Sequence, residues 1–357
     1  MKLNNKLVRT ILLFILSALS TSCKGHDQYN SDNNASTNAT IGKVVTEIDK
    51  SIWLVFQDNS NHYWFGSNGK GVYFYDGYTL KQYTEEDGLI SNQIRGIQSD
   101  KSGNIYFDTP IGISKFNREK FITLEVTNSS NDQWKLNADD LWFRGNGDID
   151  GGYRYTGDTL YHLKFSDFNA SFKGNRYGVY CISKDNSGNI WFGTESAGVV
   201  RFDGTTLDLI YEKELSVLDD GRVPAVRSII EDKEGNFWFS NILYRYKIIN
   251  PLLKGQSKID YEKLPGIDLS NQDVKVKLPY YNSALLDDKS GDLWMTNYNE
   301  GIWKYDFKKL VKYPINDKQT SALIVSIFQD NKGVLWVGTD NLGLYKFDGE
   351  KFNKFEP

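Results

Sequence analysis

One motif recurs along the chain and constrains its fold more than any other feature. An apolar segment is followed by a turn of the form Asp-x-x-Gly, then by a segment centred on Trp, then by a segment rich in Tyr and Phe. The clearest copies begin at Asp185 and Asp330, and others begin at Asp100, Asp232 and Asp288. Two degenerate copies complete a series of seven central aromatic residues, here called the anchor aromatics: Trp64, Tyr106, Trp142, Trp191, Trp238, Trp294 and Trp336.

The spacing of the anchor aromatics indicates the architecture. Successive anchors lie 42, 36, 49, 47, 56 and 42 residues apart, and a period of about 40–50 residues with four strands per repeat is typical of propeller blades. Asp-Gly pairs after the third segment indicate hairpins. The anchor segments are almost continuously apolar, as expected of strands packed on both faces. The sequence therefore predicts an all-β fold, a single seven-bladed β-propeller of four-stranded antiparallel blades over residues 43–357. We expect first strands to line the channel and anchor strands to pack between blades.

The N-terminal residues resemble an export signal rather than part of this fold. Lys2, Lys6 and Arg9 precede nine apolar residues, too few for a membrane-spanning helix, and small residues lead to Cys23. This pattern resembles a bacterial lipoprotein signal, which implies a signal peptide over residues 1–22 and lipidation of Cys23. An ordinary secretory signal is the alternative. Residues 23–42 are mostly polar and predict a flexible tether. We expect residues 43–48 to add a strand to the last blade.

The repeated motif resembles the two-component regulator propeller repeat, which is found in periplasmic sensing regions of bacterial hybrid histidine kinases. The family pattern is approximately Asp-x-x-Gly-x-Ile/Leu-Trp-Ile/Val-Gly-Thr, and its Gly-Leu-Pro-Ser-Asn connector is matched here by residues 88–92, with Ile90 in place of Pro. The resemblance covers residues 48–357 and implies a sensor-type propeller. Family sensors usually carry output domains, and we expect none in this chain.

Propellers bind ligands where loops converge at one end of the central channel. The loops after the anchor strands are rich in Asn and hydroxyl groups and lie near aromatic residues, a combination that suits a glycan or a small polar metabolite. The same residue types are also common in loops that bind nothing. The candidate ligand-binding residues are Asn68, Lys70, Arg144, Asn146, Glu195, Asn241, Asn297, Tyr298, Asn299, Asp340 and Asn341.

The sequence gives little indication of nucleic-acid binding, catalysis, or binding of a metal or cofactor. Net charge is −4 and no basic block is present, so we expect no nucleic-acid partner. The histidines His26, His62 and His162 fall in the tether, a turn and an outer strand, and no catalytic, metal or cofactor motif is present. We interpret Cys181 as a buried small apolar residue. Six third strands share a basic residue that we expect to cover neighbouring apolar surface: Lys115, Arg154, Arg201, Arg245, Lys304 and Lys346.

These observations predict a lipid-anchored module of the cell envelope, on the periplasmic face or at the outer membrane. Its predicted partners are a small polar ligand or glycan and, in addition, a separate envelope or sensor protein. One alternative is a structural scaffold of an envelope complex. The other is a lyase acting on a polysaccharide or cyclic depsipeptide, because the lyase that opens streptogramin antibiotics is also a seven-bladed propeller with similar strands.

Overall fold

The structure, a computed structural model, describes residues 41–127, 133–144, 150–168, 178–215, 217, 221, 225–249, 259–317 and 320–357. The predicted signal peptide, Cys23 and most of the predicted tether lie outside the described residues, as does Asn146. Within them, no helix is both long and apolar enough to cross a bilayer.

Seven sheets are arranged as the repeats predict, and six of them contain four strands consecutive in sequence and antiparallel throughout. Blade 1 consists of β2 (Ile52–Gln57), β3 (Tyr63–Ser67), β4 (Val72–Tyr75) and β5 (Leu80–Tyr83), and blade 2 of β6 (Gly96–Ser99), β7 (Ile105–Thr109), β8 (Gly112–Phe116) and β9 (Phe121–Thr123). Blade 4 consists of β14 (Val179–Lys184), β15 (Ile190–Thr194), β16 (Gly198–Phe202) and β17 (Leu207–Tyr211).

The last three blades repeat this order. Blade 5 consists of β18 (Ile229–Glu231), β19 (Phe237–Phe239), β20 (Tyr244–Ile248) and β21 (Tyr261–Pro265), and blade 6 of β22 (Ser283–Leu286), β23 (Leu293–Asn297), β24 (Gly301–Tyr305) and β25 (Leu310–Tyr313). A short hairpin, β26 (Asn316–Asp317) and β27 (Thr320–Ser321), leads to blade 7, which is β28 (Ile324–Gln329), β29 (Leu335–Thr339), β30 (Leu344–Phe347) and β31 (Phe352–Lys354).

Blade 3 departs from the predicted pattern. Its strands β11 (Leu141–Arg144), β12 (Gly152–Tyr155) and β13 (Leu160–Leu163) are followed by a single helical turn, α1 (Phe165–Phe168), and β10 (Val126–Thr127) pairs in parallel with β13 at the outer edge. Among the described strands of this blade, the anchor strand β11 is therefore innermost, whereas we expected a first strand to line the channel at this position. Residues 133–140 add no inner strand to this blade: the ring of Trp134 lies 5.1 Å from that of Phe202 in blade 4, and Gln133 and Asp140 accept hydrogen bonds from Arg154 of β12.

The innermost strands form a closed cycle. In order they are β2, β6, β11, β14, β18, β22 and β28, and β28 contacts β2 again. Within the part of the chain that the structure describes, no strand is shared between the first and last blades. The segment after the predicted tether forms β1 (Lys43–Val45), which pairs with β5 at the outer edge of blade 1. The expectation that it joins the last blade is wrong, because β5 offers it an unpaired outer edge.

The core is divided into seven apolar clusters, each at one interface between blades. Every anchor aromatic packs against the following blade: Trp191 of blade 4, for example, contacts Phe237 and Phe239 of blade 5 at ring-centroid distances of 4.6 and 5.7 Å. Trp336 of blade 7 packs against Phe65 of blade 1 and so closes the ring. The anchors therefore join each blade to the next one around the ring.

The Asp-x-x-Gly turns also support the anchors. Asp185 accepts hydrogen bonds from Ser187 N and Asn189 N, as the turn requires, and its second oxygen accepts one from Trp191 Nε1 at 2.8 Å. The same bond from the anchor to the turn Asp occurs in blades 1, 2, 5 and 7. In blade 6 the turn is formed by Asp287 rather than by the expected Asp288, because Asp287 accepts from Lys289 N and Ser290 N.

Candidate ligand-binding site

The two ends of the ring carry different segments. The Asp-x-x-Gly turns lie at one end. The loops after the anchor strands and the connectors between blades lie at the other, which we call the loop face. Every candidate residue that the structure describes belongs to the loop face. The residues at which the inner strands begin form the mouth of the channel on this face.

The Gly of the Trp-x-Gly-Thr motif is explained by the connector to the next blade. A Cβ atom built on Gly193 would lie 2.5 Å from the carbonyl oxygen of Val226, where the chain enters blade 5, and one on Gly338 would lie 2.5 Å from that of Ile52, in blade 1. One on Gly66 would lie 2.9 Å from the Ile94 side chain. Only a residue without a side chain allows these close approaches.

The same glycines lie opposite β-bulges in the inner strands. In blade 1, Ile52 pairs with Ser67 and Leu54 pairs with Gly66, so that Trp53 is an extra residue without a partner. Tyr180 in blade 4 and Val325 in blade 7 occupy the same position. Inner strands opposite a residue other than Gly, in blades 2, 5 and 6, keep a continuous register. Since bulges reorient side chains, the Gly-containing repeats place additional residues, two of them aromatic, at the mouth.

Asp340 organises one side of the mouth. Its carboxylate accepts hydrogen bonds from Ser51 Oγ at 2.6 Å, Trp53 Nε1 at 2.7 Å and Tyr298 OH at 3.0 Å. Burial opposes ionisation of Asp340, but these hydrogen bonds outweigh it and lower the pKa of the carboxyl below its ordinary value. A charged side chain in the loop of blade 7 therefore fixes an indole from blade 1 and a phenol from blade 6.

Three arginines occupy the other side of the mouth. The Arg95 guanidinium lies over the Trp53 ring, 4.8 Å from its centroid, and that of Arg227 lies 4.3 Å from the centroid of Tyr180. Arg144 Nη1 donates to the Tyr180 carbonyl at 2.8 Å. Burial, and then the neighbouring charges of Arg144 and Arg227, lower the pKa of Arg95, against the opposing effect of Asp108. The three cations therefore interact with one another.

Asp108 is the carboxylate of this cluster and is 3% exposed. It accepts a hydrogen bond from Arg144 N at 3.1 Å, and its Oδ2 lies 3.5 Å from Arg144 Nε. Burial raises the pKa of Asp108 to about 6, against the opposing effects of Arg144 and Arg95. Asp108 occupies the position at which blades 1, 4 and 7 have Gly. Blade 3 has no strand inside β11 among the described residues, so the Asp108 side chain reaches the β11 edge instead, and Gln98 Nε2 donates to the Trp142 carbonyl beside it.

The remaining candidate residues fall into three groups. The amides of Asn241, Asn297 and Asn341 are engaged by backbone groups. Asn241 Oδ1 accepts from Leu243 N and Tyr244 N of its own loop, whereas Asn297 Nδ2 donates to the Tyr280 carbonyl and Asn341 Oδ1 accepts from Leu323 N, both in connectors between blades. Asn68 Oδ1 accepts from Gln93 Nε2 at 2.5 Å. Lys70 and Asn299 are exposed and Glu195 is half-exposed. The binding role of each of these residues stays a prediction.

Three residues of the mouth were predicted from the sequence, Arg144, Tyr298 and Asp340. Five others were not: Trp53, Arg95, Asp108, Tyr180 and Arg227. Two signals were available. First, two consecutive blades have oppositely charged residues, Asp108 and Arg144, in place of the motif Gly. Second, where the motif Gly is present, the bulged residue is the one just after the start of the inner strand opposite it.

The basic residues of the third strands have the structural role that was expected. Each lies over an aromatic ring of its own blade, at 5.1–5.9 Å from the ring centroid, and in five blades that ring is the anchor aromatic. None of them belongs to the mouth described above.

The fold and this mouth define a class: the chain is a seven-bladed β-propeller whose anchor strands join neighbouring blades and whose bulged inner strands furnish one end of the channel. Two of its repeats match the model of the two component regulator propeller, over residues 173–196 at blade 4 and residues 319–341 at blade 7. The resemblance inferred from the sequence is therefore confirmed.

Solved propellers share the fold at low sequence identity. The extracellular domain of BT4673 from B. thetaiotaomicron, described as a one component system, is 22% identical, with a TM-score of 0.60 over 85% of this chain and 40% of that one. Streptogramin B lyase is 13% identical, with a TM-score of 0.60 over 87% and 97%. PorZ, a surface component of the type-IX secretion system of Porphyromonas gingivalis, is 16% identical, with a TM-score of 0.59 over 84% and 46%. The chain thus spans about 40% of the length of the B. thetaiotaomicron protein. No curated protein matches its sequence.

Proposed function

We propose that this protein is a recognition module of the cell envelope that binds a small polar ligand or glycan at the mouth on the loop face. The observation that carries the proposal is the Asp340 network. Three side chains from two other blades are fixed on one carboxylate, and two of them are aromatic. Aromatic rings with polar groups beside them are suited to binding sugars and similar ligands, and orienting them in advance lowers the entropic cost of binding.

The proposed location follows from the N-terminal sequence and from the solved relatives. The lipoprotein-like signal would anchor the chain through Cys23, and BT4673 and a second similar protein, BT3049, were solved as extracellular domains. We expect the wild-type chain in the membrane fraction of a bacterial host and labelled by a palmitate analogue. A Cys23→Ser variant should lose the label and become soluble. A label that persists in this variant would contradict anchoring at Cys23.

Ligand binding is tested by thermal shift of the purified full chain against a panel of glycans and polar metabolites. A ligand that binds only the native state raises its stability. We expect a hit to shift the wild type, and the Trp53→Ala variant to lose most of the shift. Tyr78→Ala is the matched control, since Tyr78 is an aromatic residue 96% exposed in the outer turn of blade 1. A hit that shifts the wild type and Trp53→Ala equally would place binding elsewhere. The absence of any hit would favour the scaffold alternative.

The lyase alternative receives less support from the residues at the mouth. One solved form of virginiamycin B lyase from Staphylococcus aureus, with quinupristin, is catalytically inactive because a histidine is replaced by alanine. The described histidines of this chain lie away from the mouth, His62 in the first turn of blade 1 and His162 in the outer strand β13. Burial also raises the pKa of the Cys181 thiol to about 12, so it is neutral at physiological pH.

A further inference from the structure

The arginine cluster at the mouth carries more positive charge than its carboxylate can neutralise. Arg95, Arg144 and Arg227 come from blades 2, 3 and 5, whereas Asp108 is the one acidic group of the described residues that the geometry shows paired with them. Asp108 is hydrogen-bonded to Arg144. The cluster therefore keeps an excess of about two positive charges when Asp108 is ionised.

The arginines of the third strands differ from those at the mouth, because each is paired with a carboxylate. Arg154 Nε contacts Asp140 at 2.5 Å, Arg201 lies 3.7 Å from Asp208, and Arg245 lies 3.0 Å from Glu234. Each of these third-strand arginines thus has a carboxylate of its own. At the mouth, no described residue accepts a hydrogen bond from the guanidinium of Arg95 or Arg227, and each is in contact with an aromatic ring.

Stacking on an aromatic ring orients a guanidinium while its N–H groups stay available as hydrogen-bond donors. The π face of Trp53 or Tyr180 attracts the cation, and the N–H groups remain in the guanidinium plane. These donors match the two oxygens of a carboxylate or sulfate group. Arg95 is half-buried, and hydrogen bonds to an ion are stronger where water is partly excluded.

We infer that Arg95, Arg144 and Arg227 form an oxyanion subsite at the mouth, which binds the carboxylate or sulfate group of an acidic sugar. This inference rests on the proposed function and specifies the ligand class. Trp53 joins the two halves of the site, because it contacts Asp340 through its indole nitrogen and Arg95 through its ring. The sugar ring lies on the Trp53 and Tyr298 side, and its charged group lies on the arginine side.

The test uses inorganic sulfate, D-glucuronate and, as the neutral counterpart, D-glucose. Each is titrated into the ¹⁵N-labelled full chain at constant ionic strength, because screening weakens exposed ion pairs. The readout is the indole N–H resonance of Trp53, assigned with a Trp53→Phe variant. We expect sulfate and glucuronate to shift this resonance saturably, with glucose binding at least about tenfold more weakly, since hydrogen bonds to a charged group are about twice as strong as neutral ones.

Variants distinguish binding at this subsite from nonspecific attraction of anions to positive charge. Arg95→Gln and Arg227→Gln should each weaken sulfate and glucuronate binding about tenfold. Lys120→Gln, which removes an exposed cation from the outer turn of blade 2, should leave it unchanged. If Arg95→Gln does not fold, as judged by near-UV circular dichroism, Arg95→Lys keeps the charge without the paired donors and should show an intermediate loss.

The outcomes distinguish this inference from the proposed function. If glucose binds as well as glucuronate, or if the arginine variants bind like the wild type, the oxyanion subsite is wrong while binding at the mouth stands. If neither anion shifts the Trp53 resonance, the subsite is wrong as well. Binding that leaves Trp53 unchanged and survives Trp53→Ala would remove the mouth as the site altogether.

Discussion

The close approach at Gly338 allows a quantitative prediction about ring closure. Gly338 lies in β29 of blade 7. It is close to Ile52, the residue at which the chain enters the inner strand of blade 1. A Cβ atom at this position would lie 2.5 Å from the carbonyl oxygen of Ile52 and 2.8 Å from Ser326 Oγ. The hydroxyl of Ser326 has rotamers into which it can move. The Ile52 carbonyl belongs to the inner strand of blade 1, so a Gly338→Ala substitution must separate blade 7 from blade 1.

Two opposing effects set the magnitude. Gly338 does not have a positive φ, so alanine suits the strand, and the reduced freedom of the unfolded chain would favour the variant by about 0.4–1 kcal/mol. Overpacking against a constrained backbone costs about 1–3 kcal/mol. We expect a net destabilisation of about 1–2 kcal/mol. Gly66→Ala is the matched comparison, because its nearest contact, at 2.9 Å, is the side chain of Ile94 rather than a carbonyl. It should cost less than Gly338→Ala.

The assay is equilibrium unfolding in urea, followed by tryptophan fluorescence, for the wild type and both variants. The midpoint should fall most for Gly338→Ala while the slope stays constant, which indicates a change in stability rather than in the unfolded state. A Gly338→Ala variant as stable as the wild type would refute the reasoning, because the glycine would then serve no steric purpose at the closure.

Two further predictions concern the core and the buried carboxylate. Trp191→Ala should lower the free energy of unfolding by about 3–5 kcal/mol by leaving a cavity beside blade 5; a loss below about 1 kcal/mol in urea melts would contradict the packing role of the anchors. Because the pKa of Asp108 is raised to about 6, the folded state binds the proton more tightly than the unfolded state. Its contribution to stability therefore falls as pH rises from about 4 to 6, by up to about 3 kcal/mol. Unfolding measured at pH 4, 5, 6 and 7 should show Asp108→Asn gaining stability relative to the wild type over this range; a constant difference would contradict the raised pKa.

Most of the architecture could be predicted because each repeat contains the residues that form its turn and pack it against the next blade. An aromatic residue six positions after the turn Asp can both pack on the next blade and donate to that Asp, and this pair recurs as Asp185 with Trp191 and as Asp330 with Trp336. Blade 3 was harder to predict, because Trp142 has the sequence environment of a second strand. Its position depends on residues 133–140, which pack against blade 4 through Trp134.

The mouth was only partly predictable, for a different physical reason. A bulge is a property of two paired strands, so Trp53 and Tyr180 can be identified only by aligning the start of each inner strand with the motif Gly of the same blade, and not from the pattern around either residue alone. Likewise, the loop asparagines selected for binding, such as Asn297, are common in loops because their amides satisfy backbone groups. The arginines at the mouth are far apart in sequence and meet only when the ring forms.

The absence of a shared strand between blades 1 and 7 has a consequence for how the chain acquires its structure. Each blade is encoded by one uninterrupted stretch, so blade 1 has all its hydrogen-bonding partners before blade 7 has been synthesised. Joining the ends is then a docking of two finished sheets, through Trp336 and the Ser51–Asp340 bond, rather than the insertion of a missing strand. An incompletely synthesised chain would therefore display the aromatic face of a complete blade rather than a blade with a missing strand, and a missing strand is a place that another chain could fill by β-type pairing.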